Sequence, residues 1–194
     1  MHILFICTGN ICRSPTAERL VAAHGAEPQG PTFTVSSAGT RAMIGHPMHE
    51  SAAAVLTELG GDPSGFTARQ LTPKVAAHAD LVLTMTTEHR DRILELVPRL
   101  LRKTFTLPEA ALLARQFHPD GISNLAALRP HLDLAESLDV ADPIGRSPHF
   151  FRTVGQQIAD LLPPVLELCR RSARANPVTP DDANNPRFGA RPMG

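Results

Sequence analysis

The sequence predicts an α/β domain organised around a parallel sheet. Short β-like apolar runs alternate with longer helical stretches, the pattern of repeated strand–helix units. Two of the runs, His2–Ile6 and Leu81–Met85, are almost continuously apolar, as strands covered on both faces must be. At 194 residues, 42% hydrophobic and 20% charged, the chain is long enough for one domain with a real core and an appendage.

His2–Ile6 is the first strand. A helix over Ser14–His24 follows, with Ser14 as its cap and Pro15 at the first helical position, where a missing N–H costs little. Thr32–Ser37 is the second strand. His46–Leu59 is a helix with Pro47 near its start and Gly60-Gly61 just past its end. Leu81–Met85 is the third strand, Thr87–Val97 a helix stopped by Pro98, and Lys103–Leu107 the fourth strand. His118–Asp139 carries scattered leucines and reads as a loop with a short helix. The last helix sets Phe151, Val154, Ile158, Leu161, Val165 and Leu168 on one stripe, and Pro163-Pro164 predicts a kink, or a stop and restart, near Leu162. Cys169, at the end of the stripe, reads as apolar filler. The Pro- and Asn-rich end has almost nothing to bury, so a domain over 1–171 and a disordered tail over 172–194 are expected.

Nineteen basic residues balance nineteen acidic ones, so no basic surface recommends a nucleic acid or an anionic membrane as partner. No apolar run approaches the ~18 residues of a spanning helix, and the first residues lack the basic region and cleavage site of a secretory signal. A soluble, cytoplasmic protein is expected. Three cysteines, Cys7, Cys12 and Cys169, are too few for a disulfide scaffold, and no two have C-x-x-C spacing. His46 and His49, three apart, read as solvated residues of a first helical turn rather than ligands. No metal and no cofactor is expected.

The informative segment is Cys7-Thr8-Gly9-Asn10-Ile11-Cys12-Arg13-Ser14-Pro15. It lies between a buried strand and a Ser-Pro helix start, and ligands of open α/β sheets bind beyond the carboxyl ends of strands. A short loop wrapped there points several backbone N–H groups inward and makes an anion cradle, with Gly9 and Asn10 suited to the left-handed turns of the wrap. The helix dipole and Arg13 favour a thiolate at Cys7, which can attack phosphorus while Arg13 holds two phosphate oxygens. The Ser14 hydroxyl can donate to that thiolate. A buried cysteine beside a plain helix-cap loop is the competing reading. Hydrolysis also needs a group that protonates a phenolate and later accepts a proton from water, and one carboxyl can do both. Asp142, Asp139 and Asp80 all remain candidates, and Asp142-Pro143 alone reads as a turn.

CTGNICRSPTAE resembles the signature of the low-molecular-weight protein tyrosine phosphatases. The resemblance extends over most of Met1–Arg171: Ser37-Ala38-Gly39-Thr40 is similar to the stretch after the family's second strand, Ala79-Asp80-Leu81-Val82-Leu83-Thr84-Met85 to its third strand, and Asp142-Pro143 to its Asp-Pro loop. The resemblance implies a flavodoxin-like three-layer sandwich, a four-stranded parallel sheet with helices on both faces. It implies Cys7 as nucleophile, Arg13 as phosphate clamp and Asp142 as general acid and base. Thr8, Gly9, Asn10, Ile11, Cys12 and Ser14 would bind phosphate, with Ser14 steadying the thiolate, and Asn10 and Ser37 would hold the loop in shape. Cys12 stands where the family often forms a reversible disulfide with the nucleophile; a merely structural small residue is the other reading.

The implied substrate is a tyrosine-phosphorylated protein, in some relatives a bacterial tyrosine kinase, and a monomer is expected. The chain departs from the pattern at Ile144 and Met43, where some relatives have aromatics, at Phe66 in place of a histidine, and at Thr86 in place of an aspartate. The substrate cleft would be walled by Ile11, Met43 and Ile144, without the ~0.5–1.5 kcal/mol that an aromatic pair adds. Protein arginine phosphatases of the same fold usually carry Thr where Ile11 stands, so Ile11 favours phosphotyrosine. Arsenate reductases need two more cysteines near the third strand, and a non-catalytic phosphoprotein-binding or redox-sensing module would have lost its nucleophile or acid.

Overall fold

The computed structural model describes residues 1–24, 33–132 and 139–175. Its four strands, β1 (His2–Cys7), β2 (Thr34–Gly39), β3 (Leu81–Thr84) and β4 (Thr104–Thr106), form one parallel sheet in the order β2-β1-β3-β4. The helices of the described residues are α1 (Arg13–His24), α2 (Glu50–Glu58), α3 (Pro73–Ala76), α4 (Thr87–Leu96), α5 (Leu107–Phe117), α6 (Leu125–Leu128) and α7 (Pro148–Ala175). Ile3 and Phe5 of β1 pack with Leu20, Leu113 and Ile158 on one face, while Leu4 and Ile6 pack with Ile93 and Val97 on the other. Both faces are therefore covered, the three-layer α/β arrangement expected from the unbroken apolar runs. Each fully buried Phe, such as Phe5 or Phe105, contributes about 1.5–3 kcal/mol to this core.

Register brings the site to one end of the sheet. Cys7 pairs with Gly39 and Ile6 with Thr84, so the carboxyl ends of β1, β2 and β3 emerge together. Gly39 is obligatory there, because a Cβ would lie 2.4 Å from the Thr8 carbonyl oxygen. No helix of the described residues is long and apolar enough to cross a membrane.

Several elements differ from expectation. The first helix begins at Arg13, so Ser14 lies inside its first turn and does not cap it. The second begins at Glu50 rather than His46, because the backbone ahead of it is hydrogen-bonded elsewhere: Met43 N to Gly9 O (2.9 Å), Gly45 N to Ala68 O (2.8 Å) and His49 N to Ile11 O (2.8 Å). His46 is exposed in that loop, and His49 caps α2 by accepting from Ser51 N at 3.2 Å. Leu107 opens α5 instead of closing β4, since Thr106 and Glu109 form a capping box with Pro at the helix start.

The double proline does not break α7, which runs through Pro163 and Pro164. Pro164 removes the donor that the Asp160 carbonyl would use, and Arg115 Nη2 supplies one at 2.7 Å. Leu162 is buried and Leu161 half-buried, a shift of the stripe by one residue. Cys169 is wholly buried in the core, and burial pushes its thiol up to about 12. In the His118–Asp139 segment the described residues form α6 between short 3-10 turns at Ile122–Asn124 and Arg129–His131; positions 133–138, like Thr32 and tail positions 176–194, lie outside the described residues.

Candidate active site

The loop between β1 and α1 is held from outside by its own carbonyls. Thr40 N donates to Cys7 O (2.9 Å), Arg41 N to Thr8 O (3.0 Å), Met43 N to Gly9 O (2.9 Å) and His49 N to Ile11 O (2.8 Å). With those oxygens turned outward, the amides are turned inward to the space above Cys7, beside the amino end of α1.

Asn10 fixes the wrap. Its φ is +55°, its Oδ1 accepts from Arg69 N (2.8 Å), and its Nδ2 donates to Ser14 Oγ (3.0 Å) and Ser37 Oγ (2.7 Å). Ser37 Oγ passes its hydrogen to Glu18 Oε2 at 2.5 Å, and Arg69 Nε donates to the Ser37 carbonyl at 2.7 Å. Ser14 Oγ also lies 2.9 Å from Cys7 Sγ. Ser14 Oγ accepts from Asn10 Nδ2, which leaves its own hydrogen available to the sulfur.

Glu18 and Arg69 were not singled out from sequence, although Glu18 closes the stretch that carries the resemblance. Asn10→Ala would lose three hydrogen bonds and leave a strained left-handed residue. The expected cost is about 2–4 kcal/mol, read from urea unfolding.

Arg13 is 4% exposed and its fork is divided: Nη1 donates to Val140 O (3.0 Å) and Nη2 to Asp142 Oδ2 (2.7 Å). Asp142 also accepts from Ile144 N at 3.1 Å, which forms the local turn, and its side chain is 48% exposed and so reachable by water. Asp139 accepts from Thr87 N at 2.7 Å at the head of α4, and Asp80 accepts from His2 N at 2.9 Å at the opposite end of the sheet. Of the three carboxylates, Asp142 lines the cleft with the cysteine. That cleft, of about 380 Å³, is lined by Cys7, Arg13, Ile11, Met43, Asp142 and Ile144, with Arg41 at its rim.

A family model for the low molecular weight phosphotyrosine protein phosphatases matches residues 2–174. The chain belongs to this family. The phosphatase Wzb of Escherichia coli K12 is 38% identical over 102 residues, 53% of this chain and 66%, just under two thirds, of that relative. The crystal structure of tyrosine phosphatase AmsI from Erwinia amylovora superposes with a TM-score of 0.66 at 28% identity, over 86% of this chain and 91% of AmsI. The YwlE arginine phosphatase of Geobacillus stearothermophilus superposes with a TM-score of 0.68 at 30% identity, over 86% of this chain and 90% of YwlE.

In this member of the low molecular weight phosphatase family a buried histidine contacts the loop. His89, on the first turn of α4, places Nε2 2.8 Å from Thr8 Oγ1 and Nδ1 2.8 Å from Thr86 Oγ1, so Thr86 and His89 brace the phosphate-side loop against β3. Sequence reasoning noted Thr86 only as a departure and passed over His89. Burial, assisted by Arg13, lowers the His89 pKa from 6.5 to about 4, against the smaller opposing effects of Asp142 and Asp139. With the folded value below the ordinary one, the unfolded chain binds the proton more readily between the two values. Stability is therefore full above pH 6.5 and is lost as pH falls towards about 4. The His89 share of that loss, on the order of 3 kcal/mol, is expected to vanish in His89→Asn when unfolding is measured across the window.

Proposed function

We propose that the chain hydrolyses phosphotyrosine in proteins through a phosphocysteine formed on Cys7. The observation that carries the reading is Cys7 Sγ, 2.9 Å from Ser14 Oγ, in a cleft that Arg13 and Asp142 also line. Backbone amides of Thr8 to Ser14 cradle the phosphate, and Arg13 exchanges its Asp142 contact for phosphate oxygens. The thiolate attacks phosphorus, the P–O ester bond breaks, and Asp142 gives its proton to the departing phenolate. Asp142 then takes a proton from water as the water attacks phosphocysteine, releasing phosphate and the Cys7 thiolate. Asn10 and Ser37 act as positioning residues. Ile11, Met43 and Ile144 flank the ring. The partner is a tyrosine-phosphorylated protein, and no metal enters the scheme.

Turnover of a phosphotyrosine peptide with chelator present tests the reading. An arginine phosphatase is the second reading, favoured by the superposition on YwlE. Against it stand the apolar Ile11 and the cationic Arg41 at the rim, which repels a guanidinium.

Oxidation offers another check. Burial, with Cys7 and Asp142 adding and Arg13 opposing, pushes the Cys12 thiol up to about 12, so peroxide acts on Cys7. Cys7 sulfenic acid then condenses with the Cys12 thiol and releases water. Mild peroxide is expected to give a Cys7–Cys12 disulfide by peptide mass and activity restored by dithiothreitol. In Cys12→Ser the same exposure becomes largely irreversible.

A further inference from the structure

We propose that Arg41 is a specificity-determining residue that selects phosphotyrosines flanked by a carboxylate, an inference that rests on the phosphatase reading. The apolar walls Met43 and Ile144 are about half exposed and offer no aromatic face, so they grip a ring without choosing its neighbours. Selection has to come from the rim.

Arg41 stands on that rim on a rigid base. Its N–H bonds Thr8 O (3.0 Å), and Gln70 fastens the residues on either side, accepting from Ala42 N at 2.9 Å and donating to Thr40 O at 3.0 Å. Its side chain is exposed and makes no hydrogen bond or ion pair among the described residues.

Arg41 also borders a second groove, of about 620 Å³, that runs along α4 past His89, Glu88, Asp91 and Glu95. A peptide leaving the catalytic cleft towards α4 passes this side chain, because both depressions are lined by it. The other cation on the groove wall, Arg92, is already paired with Glu95 at 2.7 Å. Arg41 is thus the available anion partner. A carboxylate about two residues from the phosphotyrosine lies within ~7 Å of chain, in reach of a guanidinium that can hold it bidentately.

The test compares kcat/KM for phosphotyrosine peptides with Glu, Gln or Lys at the flanking positions, and for p-nitrophenyl phosphate, which has no flank. Wild type, Arg41→Ala and Arg41→Glu are assayed as full chains. Wild type is expected to prefer Glu over Gln by about twofold to fivefold, the size of an exposed ion pair, and to disfavour Lys. The preference should fade between about 0.01 M and about 1 M salt as screening tightens from ~30 Å to ~3 Å. Arg41→Ala should flatten the ranking and Arg41→Glu should invert it, with p-nitrophenyl phosphate affected less than the Glu peptide.

A flat ranking in wild type, or one that survives in Arg41→Ala, overturns the proposal while leaving the phosphatase reading in place. Equal losses on p-nitrophenyl phosphate and the Glu peptide also overturn it, because Arg41 would then act on the phosphate itself. No cleavage of any ester by wild type overturns the phosphatase reading and this proposal with it.

Discussion

Asp142→Asn is expected to lower kcat on a phosphotyrosine peptide by about 10²–10⁴-fold, the range of a positioned general acid or base. The substitution is isosteric. An Asn carbonyl oxygen can still accept from Arg13 Nη2 or Ile144 N, so the turn and the cleft should persist while proton transfer is lost. The half-exposed position limits the effect on stability to less than about 1 kcal/mol, so a folding defect would not account for the loss. Leaving groups provide the sharper readout. A tyrosyl phenolate, with a pKa near 10, needs the proton most, and esters of more acidic phenols should lose less. Asp139→Asn should show no such dependence on the leaving group, because its carboxylate is engaged by Thr87 N at the head of α4. Losses below tenfold on every ester would remove Asp142 from the chemistry.

Cys7→Ser is expected to abolish turnover, with a fall in kcat of about 10⁴-fold or more, since every later step passes through the sulfur. A serine hydroxyl is a far poorer nucleophile than a thiolate, and a Ser14 hydroxyl 2.9 Å from this position cannot make it an anion. The outward hydrogen bonds that shape the loop come from its backbone and do not involve the sulfur. The variant should therefore still bind inorganic phosphate, measured by competition or by calorimetry. Substantial turnover in Cys7→Ser would place the nucleophile elsewhere.

The centre of the sheet was legible because β1 and β3 are buried along almost their whole length, which leaves apolar runs that polar edges cannot imitate. The helices after β1 and β3 and the last helix were legible, but the single turn of α3 was not. α5 was not, since it follows β4 without a single intervening residue, and Leu107 served either element equally well in the pattern. The early start assigned to the second helix failed for a tertiary reason: Arg41, Met43 and His49 give their backbone donors to the phosphate-side loop, and Gly45 gives its own to Ala68 O, instead of to a helix. That diversion is also what sets Met43 and Arg41 beside the cleft.

Pro163 and Pro164 misled in the opposite sense, because a distant arginine, Arg115, repairs the hydrogen bond that one of them removes. Within the site, the loop from Cys7 to Ser14 announces itself through its place between a buried strand and a Ser-Pro helix start, whereas Asp142-Pro143 alone reads as a turn and only the resemblance singles it out. Glu18 acts through Ser37, and Arg69 and His89 reach the loop from other elements; no local pattern reports such a reach.

The central claim is a Cys7-dependent phosphatase with a preference for phosphotyrosine. It is tested most directly by rates on a phosphotyrosine and a phosphoarginine peptide of the same sequence, measured side by side with wild type and Cys7→Ser in EDTA. Faster phosphotyrosine turnover that disappears in Cys7→Ser is the predicted result; faster phosphoarginine turnover, or no cleavage of either peptide by wild type, would contradict it.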